Sequence, residues 1–88
     1  MRSKEEIRKD IDETDRELVR LFCRRMELSD EMGRLKAAHG LPITDNAREK
    51  EIKMKIRELA DIRFADETLG LYDIILSLSR EHQKKEQN

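Results

Sequence analysis

A chain of 88 residues with 44% charged and 3% aromatic side chains has room for one small domain and a modest core, and such chains often gain stability by association. Nineteen basic against twenty acidic side chains, a formal charge of -1 with neither half strongly basic, exclude the concentrated positive surface that holds a polyanion, so no nucleic-acid partner is expected. The charged start MRSKEEIRKDID and the lack of any apolar run near about eighteen residues lead us to expect no export signal and no membrane span, and the lone Cys23, which allows no intrachain disulfide, suits a reducing cytoplasm.

Three glycines, one proline and interleaved charges favour helix almost throughout, so the expected class is all-α. The first helix is expected over about 4–38. Ser3-Lys4-Glu5-Glu6 has the form of a capping box, and only Gly33 interrupts the pattern before His39-Gly40-Leu41-Pro42 ends it. Steps of four and three from Ile7 give Ile11, Thr14, Leu18, Leu21, Arg25, Leu28, Met32 and Leu35, a sustained 3.5-residue repeat with a permanent cation set into it. At 1.5 Å per residue this rod would be roughly 50 Å long, about twice the width of a compact globule of this size. Two shorter segments of the same chain cannot cover such a stripe, so an intertwined helical homodimer is expected. A helix kinked at Gly33 is the alternative.

The second helix is expected over about 46–63, capped at Asp45 or Asn46, with Ile52, Ile56, Leu59 and Ala60 on its inner face. The third is expected over about 66–84 from a cap at Asp66, with Leu69, Tyr72, Ile75 and Leu76 leading on to Ser79 and Gln83 at helical spacing. The whole of 1–88 is expected to form a single domain. His39 and His82 are far apart and lack companion ligands, so no metal site is expected; Cys23 is expected to be a small buried hydrophobe.

The polar groups on the inner faces carry the chemistry. A guanidinium at Arg25 must be paired, with Asp15 of a second copy or with Glu49, or must meet an anion. Lys36 lies three turns on, about 16 Å away, close enough for two long side chains to lean toward one ligand; it would also sit favourably at the helix C-terminus. Arg8 is about 25 Å from Arg25 along the helix, too far for the same small site unless an antiparallel second copy brings it back, and it would otherwise be a solvated surface charge. Asp45, Arg48 and Glu49 crowd the start of the second helix, as caps and surface pairs or as a hydroxyl-binding group, and Ser79 with Gln83 would be neutral donors or simply the end of the core. No nucleophile with a base in register is evident. Such a set suits a small dianion and a reaction in which charge shifts without covalent catalysis.

Taken in order, Ile7-Arg8-x-x-Ile11-Asp12-x-x-Asp15, Leu18-x-x-Leu21-x-x-x-Arg25-x-x-Leu28, Gly33-x-x-Lys36, Pro42-Ile43-x-Asp45-x-x-Arg48-Glu49 and Ile75-x-x-x-Ser79-x-x-x-Gln83 resemble the all-helical chorismate mutases of the AroQ class over almost the whole chain. The resemblance implies an intertwined dimer with two equivalent sites, each completed by the first-helix arginine of the other subunit. It implies that Arg25 and the other subunit's Arg8 bind the two carboxylates of chorismate and that Arg48 supports them. Asp45 and Glu49 would hold the ring hydroxyl region with Ser79 nearby, and Lys36 and Gln83 would donate to the ether oxygen. The implied reaction is the Claisen rearrangement of chorismate to prephenate, with no cofactor.

Two positions depart from the pattern: Arg80 stands where part of an apolar wall is expected, and Met32 where a branched residue is common. Isochorismate-pyruvate lyase is the nearest alternative, since related enzymes use a similar cage of cations, although the full loop between Lys36 and Asp45 with Pro42-Ile43 leans toward mutase. A noncatalytic helical dimer or regulatory module would explain the stripe but leave Arg25, Lys36 and Gln83 without a role. A DNA-binding dimer fits the charge least.

Overall fold

The computed structural model describes residues 1–87, and these form three α-helices: α1 (Lys4–His39), α2 (Asn46–Leu59) and α3 (Ala65–Lys85), with a 3-10 turn at Ile62–Phe64. No strand occurs among the described residues, and the all-α class follows. Helix α3 lies in the middle, with α1 and α2 both packed against it.

Local chemistry sets the helix ends. The Ser3 hydroxyl accepts from the Glu6 amide at 3.1 Å and the Glu6 carboxylate accepts from the Ser3 amide at 3.2 Å, a complete capping box. At the other end Gly40 takes the left-handed conformation, φ 64°, and the Leu41 amide closes on the Lys36 carbonyl at 2.9 Å. Of the two candidate caps for α2, Asp45 does the work: its carboxylate accepts from the Arg48 amide at 3.0 Å.

Helix α2 stops at Leu59, four residues short of the expected 63. Ala60 turns to an extended conformation, and the Asp61 carboxylate then accepts from the Arg63 amide and guanidinium, opening the 3-10 turn instead of a further α-turn. These Arg63 contacts, the side-chain hydrogen bond above all, hold the Asp61 carboxyl below its usual range. With the axis broken there, Leu59 does not join the inner face and is 81% exposed. Helix α3 then begins at Ala65 without a side-chain cap, and Asp66 sits inside its first turn rather than ahead of it.

The core is small: Met26, Ala65, Ile75 and Leu76, joined by the buried polar residues Ser29, Ser79 and Gln83. All three buried positions of α1, Met26, Ser29 and Gly33, fall in its second half. Helix α1 continues unbroken through Gly33, where a methyl would lie 2.7 Å from the Gln83 Cα and 2.9 Å from its carbonyl oxygen. The glycine therefore marks a close crossing of α1 over α3 and not a kink. Along the first half of α1 the apolar stripe is bare, with Leu18 at 55% and Leu21 at 53% exposed, and Cys23, expected inside, is exposed too. The result is an elongated body of 56 × 24 × 14 Å with a radius of gyration of 16.3 Å. A compact chain of this length would have about 12 Å.

Candidate active site

The second half of α1, the loop before α2, the first turns of α2 and the last turns of α3 enclose a cavity of about 780 Å³. Leu28, Met32, Ile52 and Leu76 give it apolar walls, and Arg25, Lys36, Asp45, Arg48, Glu49, Ser79 and Gln83 line it. Of the residues singled out from the sequence, Arg8 alone lies elsewhere, exposed on the bare half of α1.

Arg25 is half-buried, with its guanidinium carbon 5.8 Å from the centre of the Tyr72 ring. Among the described residues it has no acidic partner. Glu49, one of the two candidates for that pairing, is taken by Arg80 at 2.6 Å. A guanidinium placed over an aromatic face and left without a carboxylate keeps its donors available to an incoming anion.

Behind it runs a connected hydrogen-bond chain. The Lys36 ammonium donates to the Ile43 carbonyl and to the Gln83 side-chain oxygen, both at 2.7 Å. An ammonium can only donate, so it fixes which end of the Gln83 amide is oxygen. The Gln83 Nε2 in turn donates to the Ser79 hydroxyl at 3.2 Å, which lies 2.6 Å from the Ser29 hydroxyl, and Ser29 donates to the Arg25 carbonyl at 3.0 Å. Because Ser29 spends its one hydrogen on that carbonyl, Ser79 donates to Ser29 and accepts from Gln83. The direction of every bond is thereby set. One N–H of Lys36 and one of Gln83 remain uncommitted, and both residues line the cavity.

At the opposite wall, Asp45 combines capping with an exposed carboxylate. The Arg48 guanidinium pairs with Glu51 at 2.9 Å rather than with Asp45 or Glu49. The Glu49 and Arg80 side chains are only 22% and 32% exposed, so Arg80 points inward and ties α3 to α2. No buried side-chain nitrogen or oxygen among the described residues lacks a partner.

Ser29 is the site residue that the sequence reading passed over. Its signal was present: it follows Arg25 by one turn, and with Met26 and Gly33 it forms a second inner face beside the apolar stripe.

Comparison with known proteins places the chain in a family. The family described as chorismate mutase type II matches residues 7–84. A chorismate mutase of Methanocaldococcus jannaschii is 38% identical over 82 residues, covering 91% of this chain and 83% of the relative. The T-protein of Haemophilus influenzae is 46% identical over 54 residues and the bifunctional chorismate mutase/prephenate dehydratase of Aquifex aeolicus 41% identical over 59 residues. The matches span 61% and 67% of this chain but only 14% and 16% of those longer proteins. No solved structure matches significantly. With the match running from the first helix through the third, the chain belongs to the chorismate mutase type II family.

Proposed function

We propose that this protein converts chorismate to prephenate by holding the substrate in a reactive shape and stabilising the charge that moves onto its ether oxygen. The observation that carries the reading is the half-buried, acid-free Arg25 in one cavity with the hydrogen-bonded Lys36 and Gln83. Arg25 takes one carboxylate of the dianion, with Arg48 swinging from the exposed Glu51 to support it. Lys36 and Gln83 give their uncommitted N–H groups to the ether oxygen. As the C–O bond breaks ahead of C–C bond formation, negative charge grows at that oxygen, so these two donors bind the transition state more tightly than the substrate. Asp45 and Glu49 accept from the ring hydroxyl region, and Ser79 positions Gln83 from behind. Apolar walls at Leu28, Met32 and Leu76 favour the folded-over conformer by excluding water from its underside.

The second carboxylate requires another cation, and we assign it to Arg8 of a second copy in an intertwined homodimer. The bare apolar stripe on the first half of α1 supports this, since a second α1 laid antiparallel along it would cover the stripe and carry its Arg8 toward the first copy's cavity. The chemistry needs no cofactor, and we place the enzyme in the cytoplasm.

Loss of chorismate absorbance with product identification, for wild type and Arg25→Ala at equal concentrations of folded protein, tests the reading. Prephenate from wild type and at least ~10²-fold slower turnover in the variant are expected. No turnover by well-folded wild type would overturn it, and release of pyruvate from isochorismate would reassign it to the lyase.

A further inference from the structure

Arg80 has no place in the mechanism above, yet it reaches into the cavity from α3 and binds Glu49 at 2.6 Å. The side chains lining the cavity include four cations, Arg25, Lys36, Arg48 and Arg80, against three carboxylates, Asp45, Glu49 and Glu51. Without Arg80 the two signs would balance. We infer that Arg80 is a positioning and specificity-determining residue: by neutralising Glu49 and occupying one of its oxygens, it makes the cavity selective for a dianion while leaving the other Glu49 oxygen to accept from a substrate hydroxyl.

Glu49 has to face a ring hydroxyl, yet it is also a half-buried negative charge in a cavity meant to receive two more. Left alone it would repel the substrate, through a medium that screens poorly. Arg80 removes that repulsion. Its guanidinium donates one N–H to a single Glu49 oxygen, and it comes from a different helix, so the position of Glu49 is held from outside α2. Because the repulsion acts on substrate and transition state alike, the effect belongs in KM more than in kcat.

This inference rests on the mutase reading, and wild-type turnover is therefore measured first; its absence would sink that reading whatever Arg80 does. Given turnover, Arg80→Met is expected to raise KM for chorismate roughly tenfold with kcat changed less than about threefold. Arg80→Lys, which keeps the charge, is expected to restore most of that loss. The decisive variant is Arg80→Met/Glu49→Gln, in which the unpaired charge is gone: its KM is expected to fall back below that of Arg80→Met. An Arg80→Met enzyme with lowered thermal stability but wild-type KM would overturn the inference, leaving Arg80 a structural tie between α2 and α3. With Glu49→Gln alone as the reference for the lost hydroxyl acceptor, an Arg80→Met effect on KM as large in that background as in wild type would overturn it equally, by showing that Glu49's charge is not what Arg80 controls. Titration of folded wild type and Arg80→Met with a cyclic dicarboxylate and its monocarboxylate analogue reads the same selectivity without turnover. Loss of preference for the dicarboxylate in the variant is expected, and an unchanged preference would overturn the inference.

Discussion

At the scale of single residues, the two donors proposed for the ether oxygen can each be tested alone. Lys36→Ala and Gln83→Ala should each cost roughly 3 kcal/mol of transition-state stabilisation, about 10²-fold in kcat, because each removes one fixed donor. The Gln83 amide donates at any ordinary pH, so the wild type should show no acid-only profile. Gln83→Glu should create one. A carboxyl donates only when protonated, so activity should be present below about pH 4 and fall as pH rises through the carboxylate range, with Lys36 beside it pushing that window lower still. A rate–pH profile for both proteins checks the assignment, and a flat profile for Gln83→Glu would remove Gln83 from the ether oxygen. That Arg25, Lys36 and Gln83 face one cavity was legible in the sequence because each is a polar residue on or beside the inner face that helical spacing marks out. The spacing of Ser29 from Arg25 was there to be read, but its part in the site was not, since a serine on an inner face looks like any small residue until the neighbouring helix supplies Ser79 to bond it. The Glu49–Arg80 pair was hidden for the same reason, its members being thirty-one positions apart on different helices.

At the scale of helices, the crossing of α1 over α3 at Gly33 governs where Gln83 sits. Gly33→Ala would gain about 1 kcal/mol of helix propensity, but its methyl would meet backbone atoms of Gln83, which cannot rotate away. The helices would have to part at a cost of about 1–3 kcal/mol, so a lower thermal midpoint and slower turnover are both expected. Thermal unfolding followed by circular dichroism, together with kcat, checks this; a stabilised, fully active variant would show that the crossing has slack. Helices α1 and α2 were readable from caps and periodicity, and α3 from periodicity alone, since its expected cap Asp66 lies inside the first turn. The end of α2 was not, because Ile62 continues the apolar pattern while Asp61, by bonding the Arg63 amide, breaks the axis before it. Gly33 could be read as a kink or as a contact, and only the neighbouring backbone decides between them.

At the scale of the whole molecule, a long rod with an uncovered stripe was already implied by the length of the repeat, and the 56 Å body has that shape. What covers the first half of α1 in the active enzyme is open to a direct test by complementation. Arg8→Ala and Arg25→Ala should each be nearly inactive alone. If each site takes Arg8 from the other copy, a mixed dimer holds one site with both arginines and one with neither. Unfolding and refolding the two variants together in equal amounts should therefore restore about a quarter of wild-type activity, because half of the dimers formed are mixed. No recovery would mean that Arg8 serves its own chain's site or none.

The packing of α1 against α3 also sets an order of events during synthesis. Helix α1 is made before α2 and α3, but the surface that its second half buries, through Ser79, Gln83 and the crossing at Gly33, belongs to the third of these helices to emerge. Helix α2 cannot substitute, since it too rests on α3. The nascent chain thus has no stable partial fold to adopt from α1 and α2 alone, and this core can close only once α3 has cleared the ribosome.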